Sequence, residues 1–235
     1  MLILFDVKAS RKRRKEMQEK TPVTRTLEEN IAHMEELFAV CDDIKKKKFC
    51  LGKCMDVPCY LTFVEVSVDM GTSSLGELLK YFNTLERDKI YEALEKNALG
   101  VSDATYFESI EEAADGLLTG ECILFVEGFD KAVKIPDDGY PSMGINEAVS
   151  EKVIRGSSEG FSDSVKQNAA LIRKRIRSPK VKVKEIKAGV RSKTNVYLVY
   201  MEDLIYPQVL TEIERRLSDF EVDGVLDSGV LEQLA

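Results

Sequence analysis

Cys50, Cys54 and Cys59 fall within ten residues of sequence, with Cys41 just upstream, and three or four thiolates so grouped could bind a soft metal such as zinc. The spacing has neither a C-x-x-C pair nor two pairs at regular separation, so no metal is expected there. The chain has five cysteines, and an odd number in a sequence of cytosolic type reads as reduced thiols, partly buried in the first half. Covalent catalysis lacks its parts too. His33 is the one histidine, so no Ser or Cys nucleophile has an imidazole base held by a third group. Asp223, Asp227 and Glu232 gather in VDGVLDSGVLEQL, where the simpler reading is that Asp227 and Ser228 cap a helix leading onward. Neither enzyme activity nor a cofactor is expected.

The remaining candidates would hold parts together rather than react. Arg155 to Arg177, RGSSEGFSDSVKQNAALIRKRIR, reads as a strand end, a turn framed by Gly156 and Gly160, and a helix with a basic far end. A helix that starts after a glycine turn invites comparison with a phosphate loop. The G-x-x-x-x-G-K-[ST] pattern is absent, and Glu159 puts a negative charge where a phosphate would sit. The expected arrangement is a latch in which Arg155 pairs with Glu159 and holds the turn against a hairpin, GVRSKT, with Arg191 and Lys193 at its tip. At a cleft between lobes, such a latch could change state with a signal. On a helical wheel started at Phe161, Val165, Asn168, Ala169, Ile172 and Ile176 share a side, which sets a carboxamide into an apolar stripe. A buried carboxamide without a partner costs about 1–3 kcal/mol, so Asn168 is expected to bond to backbone or to Arg175.

The elements that must position these residues follow from pattern. With 235 residues, 44% hydrophobic and 32% charged, the chain can bury a core without disulfide staples and exceeds the usual size of one domain. The fold class is α/β (α+β), as two small lobes that each combine a mixed sheet with helices. Residues 1–25 form a basic arm, mobile or loosely docked. The first lobe, 26–137, opens with a capping box at Thr26 and Glu29 and a helical stripe of Leu27, Ile31, Met34, Leu37, Phe38 and Cys41. Strands are predicted at 49–51 and 60–68, helices at 75–83, 88–99 and 110–117, and a hairpin at 122–126 and 132–135.

Residues 136–148, PDDGYPSMGINEA, carry two Pro and two Gly without periodicity and mark the boundary, with the linker at 138–148. The second lobe, 149–227, reads βαββαβ: strand 151–155, helix 162–176, strands 181–187 and 195–201, helix 207–218 and strand 221–226. The alternation of 181–187 slips at Glu185 and Ile186, so a bulge or early end is expected. The strand NVYLVYM should be central, and Val209, Leu210, Ile213, Leu217 and Phe220 should form a buried helical stripe. Residues 228–235 begin a helix that the sequence cuts after about one turn, the pattern of a chain that continues.

Net charge is −7, yet Ile172 to Lys193 holds ten Lys or Arg against Glu185 alone. Such a stretch can meet anionic lipid headgroups, while nucleic acid is disfavoured because no aromatic side chain stands among the cations to stack on bases. No apolar run approaches the roughly 20 residues needed to cross a bilayer, and MLILF lacks the flanks of a signal peptide.

Several ordered blocks resemble a known family. They are Glu151 to Gly156; Glu159, Gly160 and Phe161; Asn168, Leu171, Ile172, Arg173 and Arg175; Arg191 to Thr194; and Asp223, Gly224, Asp227, Ser228, Gly229 and Glu232. Together they resemble the GerA family of spore germination proteins. The likeness is specific over 146–235, and over 45–137 it is a similar rhythm of strands and helices. Ser157 and Ser158 stand where the family often has Pro and a basic residue. The resemblance implies the soluble amino-terminal region of a germinant receptor A subunit, or of the paralogue encoded with the spore SpoVA proteins. It further implies a membrane-spanning bundle after this region and partnership with B and C subunits. The location implied is the spore inner membrane, with this domain on the cytosolic, spore-core side. In that reading the domain is noncatalytic and passes a nutrient signal to the membrane part. Two other readings stay open: small-molecule binding in the interlobe cleft, and nucleic-acid or anionic-lipid binding through 172–193.

Overall fold

A computed structural model of the protein describes residues 20–67, 74–99, 104–136, 159–219, 222–225 and 228–234. The first half is an antiparallel five-stranded sheet with helices on both faces. Its strands are β1 (Ile44–Leu51), β2 (Val57–Val64), β3 (Thr105–Phe107), β4 (Cys122–Val126) and β5 (Ala132–Ile135), in the order β1-β2-β4-β5-β3. The helices are α1 (Leu27–Leu37), α2 (Ser74–Phe82), α3 (Arg87–Glu95) and α4 (Ile110–Leu118).

Strand β2 explains the layering. Cys59, Leu61 and Phe63 point into one core with Leu75, Leu78 and Phe82 of α2 and Ile90 and Leu94 of α3. Tyr60 and Val64 point into the other, with Ile31 and Met34 of α1 and Ile110, Ala113 and Leu117 of α4. A strand covered on both faces reads as a continuous apolar run rather than an alternating one, which is why Tyr60 to Val64 shows no period. Gly116 lets α4 approach β3 closely, since a Cβ there would stand 2.5 Å from the Phe107 ring.

Several expectations change. Within both sheets the pairing is antiparallel, not mixed. Thr26 does not cap α1 with its side chain; the Glu127 carboxylate accepts from Leu27 N at 2.8 Å instead, so a neighbouring turn does the capping. Residues 20–25, assigned to the arm by composition, lie against α4. Pro22 bridges to Ser109, and Val23 is buried.

The second half contains α5 (Val165–Arg175), β6 (Val181–Ala188), β7 (Thr194–Met201), α6 (Pro207–Ser218) and α7 (Ser228–Leu234). Strand β6 runs in unbroken register with β7 from Val181↔Met201 to Ala188↔Thr194, so the bulge expected at Glu185 does not form. The ladder needs only backbone groups, and Glu185 and Ile186 simply sit half-exposed. Strand β7 is not a buried central strand, because every one of its residues is half-exposed and β6 is its partner among the described residues. Helix α6 likewise has no buried residue, although Leu210, Ile213 and Leu217 are partly covered. The predicted strand 151–155 and the linker lie outside the described residues. Of the predicted strand 221–226, residues 222–225 hydrogen-bond to the β6–β7 turn, with Val190 N to Val222 O and Arg191 N to Asp223 O both at 2.9 Å. Among the described residues no helix is long and apolar enough to cross a membrane.

Candidate functional site

The two sheets meet along a seam built by β6 and the connection between α1 and β1. Val40 adopts φ 56°, a left-handed conformation costly for a β-branched residue, and the bend lays residues 40–42 alongside β6. Cys41 then forms a parallel bridge to Val183. Asp42 N donates to Val183 O at 2.8 Å, Val183 N donates to Val40 O at 3.2 Å, and Glu185 N donates to the Asp42 carboxylate at 2.7 Å. Lys182 is buried on the seam and donates from Nζ to Leu37 O at 3.1 Å, with the Glu202 carboxylate 3.7 Å away.

At the centre of the seam is a buried ion pair. Arg173 of α5 grips Asp43 through Nε–Oδ2 and through Nη2–Oδ1 at 2.9 Å, with side chains 0% and 6% exposed. Burial opposes the charge on Arg173, but its hydrogen bonds and attraction to Asp43 outweigh this, and its pKa is raised. Among the described residues Nη1 of Arg173 meets no oxygen or nitrogen acceptor, and the Cys41 thiol is its polar neighbour. The Cys41 thiol beside it is pushed up by burial, against the pull of the Arg173 charge. Lys166 adds a second tie from α5 to the first sheet, 2.6 Å from Glu65. Tyr197 of β7 faces the same region, and burial, helped by Glu185, Glu65, Asp43 and Asp42, raises its phenol to about 12. These groups can couple the sheets mechanically; they do not assemble a nucleophile with a base.

Other predicted residues fall elsewhere. Asn168 accepts from Ser162 N and donates to Ser162 O, both at 2.8 Å, so its carboxamide is spent on backbone. That clasp precedes the helix, which starts at Val165 and leaves Phe161 exposed. Glu159 reaches the other end of α5, 2.6 Å from Lys174 and 3.4 Å from Arg175. Arg191 is 81% exposed and pairs with Asp223 at 3.2 Å, while Lys193 holds the turn at φ 45°. Arg155, Gly156 and Asp227 lie outside the described residues. Ser228 begins α7. Among the cysteines, Cys59 is buried, Cys50 half-buried and Cys54 exposed, and among the described residues no cluster of three His, Cys, Asp or Glu could hold a metal.

Asp43 and Lys182 were not expected at a site, and Arg173, named only in the family blocks, was not expected to meet Asp43. Arg173 shares its face of α5 with Lys166, two turns earlier, and both reach carboxylates of the first sheet, which the sequence alone does not mark. Seven of the ten cations in 172–193, namely Arg173, Lys174, Arg175, Lys180, Lys182, Lys184 and Arg191, lie within 4.0 Å of a carboxylate. The basic stretch is therefore largely neutralised by its own surroundings. Beside the seam opens a cleft of about 420 Å³ whose walls include His33, Glu36, Glu111, Lys180, Lys182 and Glu202.

The described residues form a two-sheet α/β protein whose halves meet at a polar, ion-paired seam. The chain belongs to the Bacillus/Clostridium GerA spore germination protein family, which it matches over residues 32–235. It is 30% identical over 213 residues to the uncharacterized membrane protein YfkQ of Bacillus subtilis (strain 168), covering 90% of this chain and 41% of that protein. It is 29% identical over 217 residues to spore germination protein A1 of the same organism, covering 92% of this chain and 44% of that one. The chain thus spans less than half the length of these relatives. The crystal structure of the N-terminal domain of the A subunit of the Bacillus megaterium spore germinant receptor GerK3 shares the fold. Its TM-score is 0.68 at 21% identity, over 92% of this chain and 80% of that one.

Proposed function

We propose that this chain is the amino-terminal region of a germinant receptor A subunit, a noncatalytic relay that passes a nutrient signal to a membrane-embedded part of the same protein. Its partners in this reading are the receptor's B and C subunits, and its place is the spore inner membrane, facing the spore core. The division into two lobes at 138–148 belongs to the same reading, with the lobes moving as units about the seam. The observation that carries it is the buried Arg173–Asp43 pair, because a bidentate contact with few alternative geometries favours discrete over graded arrangements of the two sheets. The Arg191–Asp223 pair on the β6–β7 turn is a further candidate control point.

The test is nutrient-induced germination of spores carrying Arg173→Lys or Arg191→Glu in the full-length protein. Arg173→Lys keeps the charge but loses the fork and should slow germination at unchanged receptor level by immunoblot. A wild-type response in that variant removes the seam from the relay, and one in Arg191→Glu removes the Arg191–Asp223 pair from it. The cleft of about 420 Å³ favours a second reading, small-molecule binding between the lobes. Thermal stabilisation by a charged metabolite would support it, and a flat response across a metabolite panel would end it.

A further inference from the structure

We propose that residues 24–64 and 162–201 are two copies of one helix-and-hairpin unit, and that Asn30 and Asn168 are the same positioning residue in each, setting the two helices that supply the seam. Helices α1 and α5 both have 11 residues, and β1, β2, β6 and β7 all have 8. The hairpins share their register: β1 and β2 pair from Ile44↔Val64 to Leu51↔Val57, β6 and β7 from Val181↔Met201 to Ala188↔Thr194. Each turn then spans five residues, 52–56 and 189–193, and each opens on a left-handed glycine, Gly52 at φ 97° and Gly189 at φ 82°.

Five core positions correspond, while Val183 and Val199 of the second unit stand where the first has Lys46 and Thr62. Ile31 and Met34 correspond to Ala169 and Ile172 at an offset of 138, while Ile44, Tyr60 and Val64 correspond to Val181, Tyr197 and Met201 at an offset of 137. All ten face their own unit's helix side, so one residue fewer in the helix-to-strand connection is the only change of spacing. The helix starts match in chemistry as well. In TRTLEEN, Thr24 N donates to Asn30 Oδ1 at 2.9 Å and Asn30 Nδ2 donates to Thr24 O at 2.7 Å. In SDSVKQN, both equivalent bonds between Ser162 and Asn168 are 2.8 Å, and in both units the hydroxyl lies 3.5 Å from the same carboxamide oxygen.

Two like units here touch through unlike surfaces. Strand β6 of the second lies on the 40–42 connection of the first. The converse contact is barred for any second pairing, since β1 exposes Lys46, Lys47 and Lys48 and the second connection carries Pro179, which has no N–H, beside Lys180. Both clasped helices feed the one seam: α1 runs into Leu37 and Val40, whose carbonyls accept from β6, and α5 carries Arg173. Each clasp therefore sets how far along its axis a seam-bearing helix starts.

Amide hydrogen exchange on the whole chain tests this. Asn168→Ala should speed exchange at Ser162 by about tenfold or more and also at the seam amides Asp42 and Glu185, leaving Thr24 unchanged. Asn30→Ala should free Thr24 and Val183 while sparing Ser162. Should Asn168→Ala fail to fold, Asn168→Asp keeps the acceptor and loses the donor, and intermediate exchange at Ser162 is expected. Seam amides that stay at wild-type rates while Ser162 is freed would overturn the positioning role. The triple variant S162T/D163R/S164T carries the first unit's residues into the second and should retain protection at amide 162; loss of that protection or of the fold would overturn the equivalence.

Discussion

Asp43→Ala should be among the most damaging single substitutions in this chain, because it leaves Arg173 charged and buried with no counterion. Removing one member of a buried pair typically costs about 3–5 kcal/mol, far more than the pair contributes over a hydrophobic replacement. The structure puts this site within that range: the side chains are 0% and 6% exposed, and both carboxylate oxygens of Asp43 are engaged. Burial opposes the charge on Arg173, so the intact pair carries a desolvation cost that an apolar pair would not. The double variant Asp43→Leu/Arg173→Met should therefore be more stable than Asp43→Ala alone. Urea unfolding followed by far-ultraviolet circular dichroism reads this directly. With m of about 2–3 kcal/mol/M, a loss of about 3–5 kcal/mol should lower the midpoint by about 1–2.5 M. A loss below about 1 kcal/mol for Asp43→Ala, or a double variant no better than the single one, would refute the assignment of the pair as the seam's central tie.

Two further outcomes follow from packing and burial. Gly116→Ala places a Cβ 2.5 Å from Phe107, so it should destabilise the fold by overpacking, by about 1–3 kcal/mol, and lower Tm despite alanine's helix propensity; Phe107→Leu in the same chain should restore part of the loss. Burial raises the Cys59 thiol from 9.0 to about 12. The unfolded chain releases this proton near pH 9 and the folded chain only near pH 12, so stability is intact below that window and falls by about 1.4 kcal/mol per pH unit through it. Cys59→Ala should lessen the slope in urea titrations between pH 9 and 11 by about that amount, with the share of Cys41 and Tyr197 remaining, and an unchanged slope would contradict the burial.

Much of the local structure was legible in sequence. Helix stripes such as Leu27, Ile31 and Met34 carry their period openly, and the hairpin at β4 and β5 is punctuated by Gly128. The backbone bonding of Asn168 followed from the cost of an unpaired carboxamide. Less legible were β7 and α6, whose apolar residues suggested deep burial and proved half-exposed, because periodicity reports which side is apolar and not how much protein covers it. The duplicated [ST]-x-[ST]-x-x-x-N pattern at 24–30 and 162–168 was also present in the string. Only hydrogen bonds and register gave it meaning.

The amino-acid sequence by itself determined the α/β class, most element positions and family membership, since each rests on short-range period, turn chemistry or ordered motif blocks. Tertiary structure alone decided that Arg173 meets Asp43 across 130 residues and that β6 lies on the 40–42 connection. A charge carries no mark of its partner when both are far apart in sequence. Which cation is buried is set by how two preformed units close on each other, and that depends on shape and desolvation over the whole seam.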